Sequence, residues 1–165
     1  MASVELCGDL PPAALERLLE RYGLAVSWCA PGGAIPGTYW GEPEAGLIGA
    51  TLYLRPDTPV HSALHEAGHF ICMDAARRAR LHTDAGGTLL EECGVCYLQM
   101  LLADGLPGVG RRRIQADMDA WGYTFRLGSA QAWFESDADD ALAFLRARGL
   151  IGASGEPMPA SAPAR

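Results

Sequence analysis

The sequence predicts an α+β fold, a small antiparallel sheet packed on one central helix with a helical C-terminal part, and three observations predict it. Short β-type runs at residues 24–29, 37–40 and 47–54 gather in the first third of the chain. Apolar residues then recur at helical spacing over residues 60–75. Beyond residue 102, Gly and Pro divide the chain into short amphipathic stretches. With 165 residues and 49% hydrophobic content, one core is expected, in a single domain over residues 1–151.

The elements follow in order. Asp9 and Pro11 open a first helix running to Arg21, with Leu15, Leu18 and Leu19 on its apolar face and Gly23 as its stop. A strand over 24–29 ends in the turn-rich Pro31-Gly32-Gly33. Residues 47–54 read as one strand leading into the next helix, and an open edge there would pair with an extended peptide through main-chain hydrogen bonds. Asp57-Thr58-Pro59 then places an N-cap hydroxyl before a proline at the first helical position.

The helix that starts near Pro59 carries Val60, Ala63, Leu64, Ala67, Phe70, Ile71 and Ala75 on one face, while Arg77, Arg78 and Arg80 suit the negative end of its dipole. Within it lies His65-Glu66-Ala67-Gly68-His69. Residues four apart share a helical face, so two imidazoles can converge on one ion with Glu66 beside them. A glycine in a helix interior costs about 1 kcal/mol, which implies that another helix crosses at Gly68. His61 lies on the same stripe, but three histidines at successive turns span about 12 Å, so His61 is expected at the rim, where it can touch substrate.

A catalytic zinc ion takes three protein ligands and leaves a position for water. A histidine six residues after His69 would complete one known pattern, but that residue is Ala75. The remaining downstream candidates are His82, Asp84, Glu91 and Glu92, and the two glutamates open a second apolar helix over residues 91–102. Glu91 heads the core-facing stripe of Gly94, Val95, Leu98, Leu101 and Leu102. Glu92 heads a more polar flank, Val95, Cys96, Gln99 and Ala103, which suits a carboxylate hydrogen-bonded to a ligand. Either can be the third ligand, with Glu91 slightly favoured.

Such a site implies hydrolysis: Zn2+ acidifies a water, and Glu66 accepts its proton as general base. The oxyanion needs a further donor. Tyr123, Tyr97 and His82 are the candidates, Tyr123 first.

Residues 22–102 resemble the ImmA/IrrE-type metallopeptidases, small bacterial gluzincins. The likeness rests on the strand-rich lead-in at 37–40 and 47–54, on His65-Glu66-Ala67-Gly68-His69, and on the glutamate-led helix with Tyr97. The chain departs from the family at Val95 and Cys96, where an asparagine is usual after the ligand glutamate. The resemblance implies an antiparallel sheet packed on a zincin active-site helix, Zn2+ as cofactor, a peptide or protein substrate and a cytoplasmic, sometimes regulatory, role. The runner-up is a regulatory protein-binding domain with a catalytically silent site; a third reading is hydrolysis of a non-peptide amide.

A net charge of -7 and a pI near 5.0 argue against a nucleic-acid partner. Arg111-Arg112-Arg113, the one basic run, reads as a solvated helix start. No apolar stretch reaches membrane-spanning length, and the N-terminus lacks a signal-peptide pattern, so a cytoplasmic protein is expected. Five cysteines are then expected as thiols, with Cys93 and Cys96 as small buried residues. Short helices are expected over 113–121, 130–135 and 137–148, with Trp121, Tyr123, Phe125, Trp133, Phe134 and Phe144 packing them onto the core. The small, Pro-rich segment 152–165 is expected to be disordered.

Overall fold

The computed structural model describes residues 3–159. Among these are seven α-helices and three strands, an α+β arrangement. A 3-10 turn at Cys7–Asp9 and helix α1 (Ala14–Glu20) precede strand β1 (Ala25–Trp28), and Gly23, at φ 76°, terminates α1 as expected. The segment 47–54 is a hairpin and not one strand: β2 (Gly46–Ile48) turns through Gly49, at φ 55°, and Ala50 into β3 (Thr51–Leu54). Leu47 and Leu52 pair across this hairpin and Leu54 lies two residues on, so these three fully buried leucines share the core face.

The sheet is mixed, with order β1-β3-β2. β1 runs parallel to β3, Val26 opposite Leu52, so the expectation of a purely antiparallel sheet is corrected. The open edge expected for substrate is also absent from β2 and β3. β3 is paired on both sides, and the outward groups of Leu47 are taken: its N–H donates to Gly37 O at 3.3 Å and its carbonyl accepts from Thr83 N at 2.9 Å.

Helix α2 (Val60–Cys72) lies against β2 and β3. Its start agrees with the sequence, but Thr58 does not cap it; the Thr58 hydroxyl accepts from Arg55 N and donates to Pro43 O. The helix ends five residues before Arg77. Met73 is extended at ψ 150°, and Asp74 caps the short helix α3 (Ala75–Arg80) by accepting from Arg77 N at 2.8 Å. Arg78 still serves the negative end of α2, now from α3: its Nε donates to Phe70 O at 2.9 Å and its guanidinium lies over the Phe70 ring.

Helix α4 (Leu89–Ala103) packs along α2 and begins at Thr88, whose hydroxyl accepts from Glu91 N. The expected crossing at Gly68 is found: a Cβ there would lie 3.0 Å from Val95 Cγ1 of α4. Helices α5 (Gly110–Trp121), α6 (Ala130–Ser136) and α7 (Asp139–Ala147) close the other side of α4. Trp133 and Phe144 are buried, and Phe134 stacks on Tyr97 at 4.2 Å. Residues 152–159, for which disorder was expected, turn back instead: Gly152 N donates to Glu156 O and Met158 N to Leu150 O. The rest of that segment, 160–165, lies outside the described residues, as do residues 1 and 2 of the N-terminus.

No described helix is long and apolar enough to cross a membrane.

Candidate metal centre

One face of α2 and the first three turns of α4 supply the site. Because α2 is buried on nearly every side, its polar residues must meet partners from neighbouring elements. His65 and His69 do so together. Their rings lie edge to face at 4.8 Å, and both Nε2 atoms point at one carboxylate, that of Glu92: Oε1 is 2.8 Å from His65 Nε2 and Oε2 is 3.1 Å from His69 Nε2. Ligand atoms of these three residues lie within 4.8 Å of one another.

Of the two glutamates, it is Glu92 and not the slightly favoured Glu91 that the structure brings to the imidazoles. Successive helical residues point about 100° apart, so only one of the two can face α2. Glu91 points to the other side, where Arg77 of α3 holds it by two bonds, Nη1 to Oε1 at 2.6 Å and Nη2 to Oε2 at 2.9 Å. Glu91 is 3% exposed, and a forked pair of this kind compensates its buried charge. His82 and Asp84 are not part of the cluster either; His82 Nδ1 meets the hydroxyl of Thr83.

Gln99 is the residue whose role the sequence reading missed. It is fully buried on α4, seven residues after Glu92 and hence on the same face. Its Nε2 donates to His61 O at 2.7 Å, which orients the amide so that Oε1 faces His65 Nδ1 at 3.0 Å. His65 must then donate from Nδ1, leaving its Nε2 directed at the position shared with His69 and Glu92. His69 Nδ1 is buried and has no hydrogen-bond partner among the described residues.

Without an ion this arrangement favours charge on both sides. Burial works against protonating His65, but Cys96 and Glu92 outweigh it and raise its pKa. Burial likewise works against ionising Glu92, and His65 and His69 outweigh that, holding its carboxyl far below the usual range. Two imidazole nitrogens and a carboxylate are also a donor set suited to Zn2+, and the Gln99-oriented tautomer gives His65 Nε2 a lone pair for it. The residues fit the ion.

Glu66 sits beside this cluster. It is 7% exposed, and burial raises its pKa, while the nearest opposing influences are His65 and His69. It lines a cavity of about 420 Å³ together with His65, Glu92 and Tyr123, and a second of about 310 Å³ that His69 also borders.

His61 is not a rim residue. It is fully buried, with Nδ1 3.2 Å from Tyr123 Oη, and burial followed by the neighbouring His65 lowers its pKa to about 4. Its Nε2 has no partner among the described residues, so a proton there would be a stranded donor. The proton therefore belongs on Nδ1 and is donated to Tyr123 Oη, which also faces Gln99 Nε2 at 3.4 Å. With its oxygen accepting, Tyr123 retains its own hydrogen for the cavity. Tyr97, by contrast, packs between Trp133 and Phe134.

Trp121, expected in the core, is instead 43% exposed and lines the larger cavity with Trp40, from the run 37–40 that forms one isolated bridge at Thr38 and not a strand, and with Glu44, which the sequence gave no reason to single out. All five cysteines are free thiols; Cys96 is buried as expected, and Cys93 is half-buried.

No protein-family model, curated protein or solved structure matches the chain.

Proposed function

We propose that the chain is a zinc-dependent metallopeptidase of gluzincin type, with His65, His69 and Glu92 as ligands and Glu66 as general base. The observation that carries this reading is the position of Glu66, a buried carboxylate without a salt-bridge partner among the described residues, in the same cavity as the three-residue donor set. A structural helix would have little reason to bury such a group. The resemblance of residues 22–102 to ImmA/IrrE-type enzymes, with their zincin active-site helix, points the same way.

When bound, Zn2+ supplies a Lewis acid that acidifies water and polarises a carbonyl. Glu66, its basicity raised by burial, takes the water proton and can return it to the departing amine. Tyr123 offers its hydroxyl hydrogen to the developing oxyanion, and Gln99 keeps His65 in the required tautomer. Peptide substrate enters through the two cavities that Glu66 lines and not along β2 or β3, whose edges are taken. Free thiols suit a reducing, cytoplasmic setting.

Glu66→Gln tests the reading. The variant should bind one zinc as the wild type does and lose hydrolysis of unfolded protein substrates by at least about a hundredfold. A wild-type protein that binds zinc but cleaves nothing, alone or with a partner, would support the regulatory alternative.

A further inference from the structure

The larger cavity carries a feature that hydrolysis alone does not use. Glu44 lines it together with Trp40 and Trp121, and both indoles are open to solvent, at 71% and 43% exposure. The loop bearing Glu44 is pinned to α2 and to the segment just before it: Ala45 N donates to Ser62 Oγ at 3.0 Å, and the Thr58 hydroxyl donates to Pro43 O at 2.7 Å. Ser62 precedes His65 by three residues, so Glu44 is held in register with the metal ligands. No arginine borders this cavity or the 310 Å³ cavity beside it, and the chain contains no lysine to do so.

We propose that Glu44, in the cavity it shares with Trp40 and Trp121, is a specificity site for a basic side chain, Lys or Arg, of the peptide substrate. The inference rests on the peptidase reading and adds to it the class of substrate. With the ion bound, Glu92 is committed to it and Glu66 to the water proton, which leaves Glu44 as the carboxylate available to substrate. A carboxylate matches a cation by charge, and the exposed indole surface beside it suits the methylene stem of a Lys or Arg side chain. Glu66 strengthens the case, as a 93% buried group aimed into the same space that adds to its negative potential. An amino terminus would present similar chemistry, and the experiment separates the two sources.

Four peptides identical except for one residue, Lys, Arg, norleucine or Glu, placed next to the scissile position, are each made with a free and an acetylated N-terminus. Their binding to zinc-loaded Glu66→Gln protein is read by tryptophan fluorescence, and their cleavage by wild-type protein is read in parallel. The Lys and Arg peptides should bind at least tenfold more tightly than the others, whether acetylated or not. Adding Glu44→Gln should bring all four within about twofold, and adding Glu44→Arg should turn the preference toward the Glu peptide, a reversal that misfolding does not produce. Equal binding of the four peptides overturns the proposal, and a preference that vanishes on acetylation overturns it in favour of the amino terminus. Selective binding without cleavage by the wild type would support Glu44 recognition and contradict hydrolysis; cleavage of all four at one rate would do the opposite.

Discussion

The amide oxygen of Gln99 stands 3.0 Å from Nδ1 of His65, and that contact decides which nitrogen of the imidazole faces the metal position. A fully buried glutamine is there to orient a partner, because its four polar positions would otherwise be unpaired. Replacing it with the similarly sized Met removes the acceptor. Gln99→Met should weaken zinc binding by roughly 10- to 100-fold, measured by competition with a chromophoric chelator. Unchanged affinity would mean that packing alone holds His65.

Glu91 and Glu92 should fail differently. Glu92→Ala removes one of three ligands from a half-exposed position, so zinc binding should be lost while the fold survives. Glu91→Ala leaves the Arg77 guanidinium without its carboxylate. Arg77 keeps a 32% exposed side chain, so solvent softens the loss, and about 1–3 kcal/mol of stability should go while one zinc is still bound. Denaturant melts and zinc titrations of the two variants check this. The opposite pattern would restore Glu91 as the ligand.

The period of the sequence was enough to locate α2, the motif on it and the helix crossing at Gly68, because apolar spacing and a mid-helix glycine are local signals. It was not enough to set the rotation of α4. Glu91 heads the apolar stripe and is indeed buried, but its partner is Arg77, which reaches it only because Asp74 stops α2 and starts α3. The polar flank of Glu92, Cys96 and Gln99 was the available sign: on a helix this deeply buried, the polar stripe is the one that needs partners, and those partners are histidines. The parallel pairing of β1 with β3 has no local signal, whereas the hairpin could be found from Gly49, which interrupts an apolar run with a positive φ.

Tyr123→Phe should separate transition-state binding from metal binding. Loss of the hydroxyl removes an oxyanion donor, and mutational losses of that kind run to about 10²–10³ in kcat. Zinc affinity should stay within a few-fold of wild type, since His65 is oriented by Gln99 and not by Tyr123. The measurement is kcat beside a zinc titration of the same preparation. A loss confined to KM would place Tyr123 in substrate binding.

His61 predicts an acid-sensitive fold. Its pKa falls from 6.5 when unfolded to about 4 in the core, so above pH 6.5 it is neutral in both states and contributes no pH dependence. As the pH drops below 6.5 the unfolded chain binds the proton and the folded one does not, and stability declines until about pH 4. Between pH 7 and pH 5 this amounts to roughly 2 kcal/mol. His61→Gln should show a correspondingly shallower decline in chemical denaturation over that interval. Parallel pH profiles for the two proteins would show that His61 is not held neutral.

The central claim is that two imidazoles from α2 and one carboxylate from α4 grip a single zinc ion beside Glu66. Anomalous diffraction at the zinc edge from crystals of the zinc-loaded protein tests it most directly. One peak is expected, within about 2.2 Å of His65 Nε2, His69 Nε2 and a Glu92 carboxylate oxygen, with a coordination position open toward Glu66. A peak bound by Glu91, or none between His65 and His69, would contradict the account.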